Sequence, residues 1–589
     1  MISQSTNLTS GDHLQSNFQR RKKVVMFSAK LVEALHALKR WLDRDGWVML
    51  FFILLACMAM YPVLGNFGSQ LIGPPGDNVQ YVYLTGRVAE AIRSWQSIFS
   101  DPQLNYPDGL LLAATDVPFL SMVIASPWTT VFGAICGYNL IILISHMLSG
   151  YFAYLWILRL TESRIAGLIA GAAFLLAPYR IAHSYGHLQL VSTQFLPLFF
   201  WSLDNVLQSP KPKWRNLVLL ALSTFAVGFS SQYYLAISLL SGVIYTIFTV
   251  PRVKYLVYQG WKVGLCAAAG ALISSYPYFQ VNFSQGIYNP YPAEKIRLWS
   301  NSILDFVMPP YTHAIWGEAM SRLYPRNDWI EHSAYLGMAT LCLALAAVLL
   351  KDHPNRRRAF TWLGVAIFAL VFALGTDLWI QNNPLQAENP TWLPAAYLGG
   401  LPGFGLIRVW ARFSVIVSLF VSLLAGVGMA ALRERFNWKP LVGILILGVI
   451  VLDFLPGNLQ SSKLYPRAID TWLAQQPEAY PVAFLQAGTE NYKTMYGSLF
   501  HDMQLPAYNH PIHRPQAYKE FKEISANFPS EGSIQELSNY GFHYLILQHR
   551  WFRDKSDGGW AEVEEFLAES PELEIVADVG GFVVVEIRK

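Results

Sequence analysis

The chain has 589 residues, of which 53% are hydrophobic and only 14% charged, where a soluble globular chain carries about 25% charged residues. Apolar runs long enough to cross a bilayer recur along it, which excludes a soluble enzyme, a coiled coil and a disordered chain. The net charge of +4 says less than its distribution, which marks an α-helical polytopic membrane protein with about eleven transmembrane helices.

Between Arg20 and Arg44 eight basic residues face only Glu33 and Asp43, so residues 1–46 are expected to form a basic cytoplasmic segment. The apolar run that begins at Trp47 is too long for a cleavable signal, and no small-residue cleavage site follows it. The expected spans are 47–66, 138–158, 164–178, 190–207, 214–231, 233–250, 261–280, 333–350, 359–376, 412–432 and 440–456. Residues 118–134 are also apolar. If they do not cross, the basic loops Arg159–Arg164, Lys211–Arg215, Arg252–Lys262, Lys351–Arg358 and Arg433–Lys439 all join the N-terminus in the cytoplasm. If they cross, all five move outside. Pro118, Ser126 and Pro127 weaken 118–134 further, so it reads as a membrane-surface or re-entrant helix.

This assigns a transmembrane domain to 47–459, with outer loops at 67–137, 281–332 and 377–411. The protein is expected in the cytoplasmic (inner) membrane. Residues 460–589 read as a small extracytoplasmic α/β domain: Tyr480–Gln486 and Phe542–Gln548 as strands, two β-rich runs around Gly580-Gly581 as a hairpin, and helices over 514–525 and 560–568. The four cysteines sit in or beside apolar runs with neither disulfide nor metal spacing. Residues are concentrated in the outer loops, and that is where chemistry is expected.

Four constellations carry candidate chemistry there. Gly73-Pro74-Pro75-Gly76-Asp77-Asn78 places a carboxylate at the membrane edge. It reads either as a proton acceptor or cation ligand or as a helix N-cap. Asp116 ends the same loop with the same two readings. His183 and His187 lie four apart beside Gln189, on one face of a helix if one forms. They suit metal ligation or interfacial hydrogen bonds. Glu331-His332 opens a span, where a carboxylate either completes an acidic site or favours the helix N-terminus. Asp305, His313 and Glu318 add polar groups upstream, and Lys295 and Arg297 suit a phosphate. Arg408 and Arg412 are basic on the outer side, against the positive-inside trend. A lipid phosphate held by forked hydrogen bonds explains them, as does headgroup snorkelling. The nucleotide-binding GxxxxGK[ST], HExxH and GxSxG signatures are absent, and His510 and His513 have no acid beside them.

Gly76-Asp77, Tyr106-Pro107-Asp108-Gly109, the stretches His187–Pro197, Asp305–His313 and Glu331–Gly337, Arg408–Arg412 and Gly541–Gln548 together resemble the GT-C superfamily of membrane glycosyltransferases. The likeness is greatest to a poorly characterised bacterial branch that overlaps the YfhO-like membrane proteins. It implies an inverting transfer of a sugar from a polyprenyl-phosphate donor to a glycan, lipid or protein acceptor on the outer face, with membrane lipid rather than nucleic acid as the other partner. It implies Asp77 as the acid of the first outer loop, with Asp116 and Glu331 next in line. Arg408, Arg412, Lys295 and Arg297 stand as phosphate contacts. His183, His187, Gln189, Asp305 and His313 stand as substrate or metal contacts, and a divalent cation is left open. Gly76 and Asn78 flank Asp77, so no second acid is adjacent. The rival reading is a lipid or glycan transporter or flippase, or a non-catalytic assembly protein. The missing internal repeat and the scarcity of mid-span charges argue against a transporter.

Overall fold

The computed structural model describes residues 39, 43–209, 211–250, 260–284, 293–385, 393–399, 407–485, 491–508, 515–553 and 559–588. Most of the basic N-terminal segment, most of the Arg252–Lys262 loop, Pro402–Gly405, His510 and His513 lie outside them, as do parts of the second and third outer loops. The chain divides into two compact units, Met1–Leu54 and Leu55–Lys589. In the first, Arg44 donates through Nε (2.9 Å) and Nη2 (2.7 Å) to the buried carboxylate of Asp45.

Among the described residues of the second unit, three helices are long and apolar enough to cross a membrane: Ala134–Thr161, Gln232–Thr249 and Trp410–Phe436. Six shorter apolar helices accompany them, among them Phe119–Phe132, Arg164–Leu175 and Phe195–Leu207. Several expected spans differ in detail, for readable reasons. The segment 190–207 is broken into Leu188–Val191 and Phe195–Leu207. In between, the Ser192 hydroxyl donates to the Leu188 carbonyl (3.1 Å) and the Thr193 hydroxyl is drawn away to Ser149 (2.9 Å), side-chain bonds that compete with helix continuation. The helix expected from 164 ends at Leu175, and Pro178 opens a new short helix, Pro178–His183, where its missing N–H costs nothing. The helix expected from 333 starts at Met338, after Gly337 at φ 77°.

Trp410–Phe436 is the axis of the bundle. Its α-helical part is buried from Ser414 through Met429 and packs on Met338–Leu349, Arg356–Ala373 and Arg164–Leu175. Small residues permit this: a Cβ on Gly428 would collide with the Leu343 carbonyl, and one on Gly426 would lie 2.9 Å from the Ala166 carbonyl. Without hydrophobic driving force in lipid, such close backbone approach is a main source of helix–helix attraction. Phe420 contributes an aromatic knot with Phe200 (centroids 4.9 Å), Trp156 and Trp362.

The C-terminal residues build a four-stranded sheet in the order Val482–Phe484, Tyr544–Gln548, Phe582–Ile587, Leu573–Val579. The first pair is parallel and the others antiparallel. Gly580 and Gly581, at φ 62° and 82°, make the two-residue turn of the final hairpin, where positive φ at both positions favours glycine. Helices Gln516–Asn527, Glu531–Asn539 and Gly559–Glu569 bury Phe521, Ile534, Leu537 and Val563 against this sheet.

The tail is sewn to the segment 67–117 in two places. Gln70–Ile72 pairs antiparallel with Ser461–Lys463. Further along, Leu104 bridges Leu505 while Pro481 bridges Gln504, so loop residues 103–106 extend the tail's sheet edge through hydrogen bonds such as Leu505 N to Gln103 O at 2.7 Å.

Candidate active site

Asp77 is the first residue of the helix Asp77–Arg93. The turn before it is held from both sides. Gly73 donates to the Gln460 carbonyl at 2.8 Å, and its own carbonyl accepts from Ser462 Oγ at 2.7 Å. Gly73 has φ 85°, and a Cβ there would stand 2.7 Å from the Tyr185 ring, so glycine is required twice over. Capping falls to the next residue. Asn78, fully buried, accepts from the Gly76 and Val79 amides (2.9 Å each) and donates to the Ile72 and Pro74 carbonyls (3.0 Å each). Asp77 stands one position inside the helix, after the N-cap Gly76.

The carboxylate of Asp77 instead faces the loop that follows Pro178–His183. Its Oδ2 is 3.9 Å from His187 Nε2, and Gly186 lets the backbone close in: a Cβ there would already touch Asp77 Cβ at 3.4 Å. The Asp77 side chain is 61% exposed. The surrounding protein still strips enough water from it to raise its pKa, with Arg408 and Arg412 pulling the other way.

Behind this pair sits Glu331, on the short helix Trp329–His332. Arg412 donates to it through Nη2 (2.5 Å) and Nε (3.2 Å to each oxygen), and the Arg412 guanidinium lies 4.7 Å from the Tyr233 ring centroid. His183 Nε2 is 3.3 Å from the other side of the carboxylate. Burial works to raise the Glu331 pKa, but Arg412 and His183 overcome it and hold the carboxyl well below the usual range.

The histidines show what this cluster lacks. His183 Nδ1 lies 2.7 Å from the Tyr179 carbonyl, a contact only an N–H can make. His183 Nε2 in turn faces the Glu331 carboxylate, a pairing that a proton or a metal cation between them would satisfy. His187 Nδ1 is buried with no hydrogen-bond partner among the described residues, and burial pushes the His187 pKa down to about 3, so it is a neutral, ligand-competent imidazole. Ligand atoms of His183, His187 and Glu331 all lie within 4.8 Å of one another. Nitrogen and carboxylate donors at this spacing fit a divalent cation.

The other expected site residues separate into groups. Arg408 is electrostatically coupled to Asp77 and His187. Gln189 is buried on Leu188–Val191, and its Oε1 has no partner among the described residues. Asp116 is a cap, but for a helix more than a hundred residues away: it accepts from Ser231 Oγ (2.7 Å) and the Gln232 amide (2.8 Å) at the start of Gln232–Thr249. Burial raises its pKa and these hydrogen bonds offset the rise. Asp305 closes a capping box with Ser302 and takes Arg326 (3.0 Å) and Tyr324 (3.0 Å). His313 is a joint, accepting from the Ile315 amide at 3.1 Å with Nε2 3.1 Å from the Asp453 carbonyl. Arg297 pairs with Asp377 at 3.0 Å, and Lys295 is exposed on the same short helix, Ala293–Leu298.

Sequence reasoning missed Arg180. It is fully buried and donates to Thr193 Oγ1 (2.7 Å), the Leu175 carbonyl (2.9 Å) and the Ser145 carbonyl (3.0 Å). Among the described residues no carboxylate pairs with it. The signal was present: in the topology expected from the sequence, Arg180 falls on the outer side against the positive-inside trend, as Arg408 and Arg412 do.

Residues 48–455 match the model of a domain of unknown function, DUF6311. The chain belongs to the DUF6311 family. This family member has the GT-C fold. The arabinofuranosyltransferase AftD from Mycobacteria superposes with a TM-score of 0.54 at 14% identity, over 94% of this chain and 40% of that one. This chain therefore spans well under half the length of AftD. ArnT from Cupriavidus metallidurans in the apo state gives 0.47 at 12% identity, over 92% and 98%. The oligosaccharyltransferase AglB from Archaeoglobus fulgidus, solved with an inhibitory peptide and a dolichol-phosphate, gives 0.43 at 11%, over 92% and 74%. No curated protein matches this DUF6311 chain.

Proposed function

We propose that the chain is a membrane glycosyltransferase that moves a sugar from a polyprenyl-phosphate donor to an acceptor on the outer face of the cytoplasmic membrane, with inversion. The carrying observation is the convergence of Asp77, His183, His187, Glu331 and Arg412 from four separate segments, with an orphaned imidazole nitrogen and a carboxylate free of capping duty at its mouth. The GT-C fold supports the reaction class. In this reading the domains are the basic segment 1–46, a transmembrane domain of about eleven spans over 47–459 and the extracytoplasmic tail 460–589, with the N-terminus cytoplasmic.

Asp77 accepts the proton of the attacking hydroxyl. It is the exposed member of the cluster, and its raised pKa improves it as a base. Arg408 takes the donor phosphate as a charge-assisted partner. Arg412 supports it while fixing Glu331. Asp116, Asp305, His313, Lys295 and Arg297 hold or border the scaffold. His183, His187 and Glu331 would hold a divalent cation, which when bound stabilises negative charge on phosphate oxygens. The phosphate is already a good leaving group, so positioning and charge stabilisation carry most of the rate.

The test is mass spectrometry of lipid-linked sugars and surface glycans in cells with and without the protein, complemented by wild type or Asp77→Asn. Accumulation of one lipid-linked sugar with loss of one glycan modification, restored only by wild type, is the expected result. An unchanged lipid-linked pool and glycan profile would sink the reading and favour a transport or assembly role.

A further inference from the structure

Asp77–Arg93 carries the candidate base at its first residue and lines a second feature at its other end. Two cavities meet there. One, of about 470 Å³, lies between this helix, the junction of Phe119–Phe132 with Ala134–Thr161, and the tail residues Tyr496, Leu499 and Phe500. The other, of about 320 Å³, lies between the helix end, Gln103 and two tail stretches around Glu478 and His501. They share Glu90, Arg93, Leu499 and Phe500 and so form one groove between the first outer loop and the tail. At 1.5 Å rise per residue, Glu90 is about 20 Å from Asp77, outside the reacting centre.

The lining has a particular chemistry. His501 is 5% exposed. Its Nδ1 accepts the Met503 amide at 3.3 Å, which places the ring proton on Nε2. That N–H has no partner among the described residues. It is a buried donor without an acceptor, a condition native proteins rarely leave unanswered. Arg93 adds a donor with no carboxylate in ion-pair range among the described residues. Glu90, Glu478 and Asp502 supply acceptors and Gln103 both functions. Phe500, 42% exposed, stands edge-on to Tyr496 at 5.1 Å and offers an aromatic surface at the point where the cavities join.

We infer that this groove binds a saccharide chain, the non-reacting part of an extended acceptor. Closely mixed donors and acceptors around an exposed aromatic ring match a polyhydroxylated ligand, each hydroxyl of which both donates and accepts. Glu90, Glu478 and Asp502 already have partners in Arg87, Tyr480 and Gln103, but an apolar peptide side chain or acyl chain would leave Arg93 and the His501 Nε2–H without acceptors at a desolvation cost. The inference rests on the glycosyl-transfer reading and sharpens it: the acceptor is an oligosaccharide or longer, engaged at a distance that one sugar does not span. Remote binding of this kind contributes to positioning at the reacting centre.

The experiment uses the full chain in detergent and fluorescence polarisation of labelled linear neutral hexasaccharides, β-1,4-, α-1,4- and α-1,6-linked, with a labelled monosaccharide beside them. At least one hexasaccharide should bind tenfold or more tightly than the monosaccharide. Phe500→Ala and Arg93→Ala should each weaken it about tenfold with unchanged thermal melting, both side chains being exposed. Asp77→Asn should bind it like wild type, so loss of transfer and loss of groove binding read out separately. Binding by none of the three hexasaccharides, or binding unchanged in the Phe500→Ala/Arg93→Ala double variant, overturns the inference.

Discussion

Two acid–arginine–histidine clusters flank the short helix Trp329–His332, and they differ in whether a carboxylate stands exposed. In the first, Asp305 receives the Ser302 amide (2.8 Å), Tyr324 (3.0 Å) and Arg326, while His332 Nδ1 is 2.9 Å from Asn301 Oδ1. Every oxygen is taken, and what results is a strut. In the second, Glu331 and Arg412 are equally well paired, yet the neighbouring His187 keeps a buried nitrogen without a partner among the described residues and Asp77 is exposed beside it. The same residue types therefore serve as scaffold in one place and line a candidate site a few residues away. Arg326 Nε also lacks a hydrogen bond among the described residues, so what separates the candidate site from the brace is the exposed carboxylate at its mouth, Asp77 against the buried Asp305.

The strongest way to break this comparison is Asp77→Asn. Positioned bases contribute about 10²–10⁴ in rate, so sugar transfer should fall by that factor. Thermal melting should be unchanged because Asn78, not Asp77, caps the helix. Wild-type turnover in a well-folded Asp77→Asn protein would remove Asp77 from the site. Arg326→Met should do the opposite. It strands a buried Asp305 carboxylate, and breaking a buried pair costs about 3–5 kcal/mol. Melting should drop sharply while the protein that remains folded turns over normally per molecule.

A third prediction uses pH. Burial pushes the His501 pKa down to about 4, below an unfolded value near 6.5. The folded state therefore resists protonation. Stability from this group is complete above about pH 6.5 and is lost as pH falls toward 4, by up to about 3 kcal/mol. Melting curves from pH 7 to 4.5 should show the loss, and His501→Gln should flatten it. The smallest effect is expected from Asp116→Asn. The amide keeps an oxygen for the Gln232 N–H, and its Nδ2 can donate to Ser231 Oγ, so stability should fall by about 1 kcal/mol, with transfer retained. A large loss of turnover without a change in melting would move Asp116 into the site.

Asp77 and Asp116 also show how much the sequence alone can tell. Both were legible as acids bracketing one outer loop, each with a cap reading and a chemical reading. For Asp116 the expected cap of the following helix does not form, since Phe119–Phe132 follows Pro118 without a side-chain cap; the carboxylate instead braces the start of Gln232–Thr249, a pairing no local pattern encodes. For Asp77 the deciding residue is its neighbour, since Asn78 takes the amides a capping aspartate would have taken. Helical segments were readable because apolar period and length report burial directly. The breaks at Ser192–Gln194 and Pro178 were less so, because they depend on partners such as Ser149 and Arg180. The His183–Glu331–Arg412 contacts join residues 148 and 81 positions apart. Sequence supplied those residues as separate candidates, and only the fold brings them within reach of one another.

The strand pairing at Gln70–Ile72 has a consequence for what counts as the working unit. The match to DUF6311 ends at residue 455, yet the peptide groups of Gly73, four residues before Asp77, are tethered to Gln460 and Ser462. A protein trimmed at 455 would keep every helix of the bundle and every member of the His183–Glu331–Arg412 group. It would lose the clasp that sets the angle at which Asp77 enters its helix. In engineering terms, the shortest fragment worth expressing for activity extends at least through Lys463, and a chimera that exchanges the tail must carry this clasp with it.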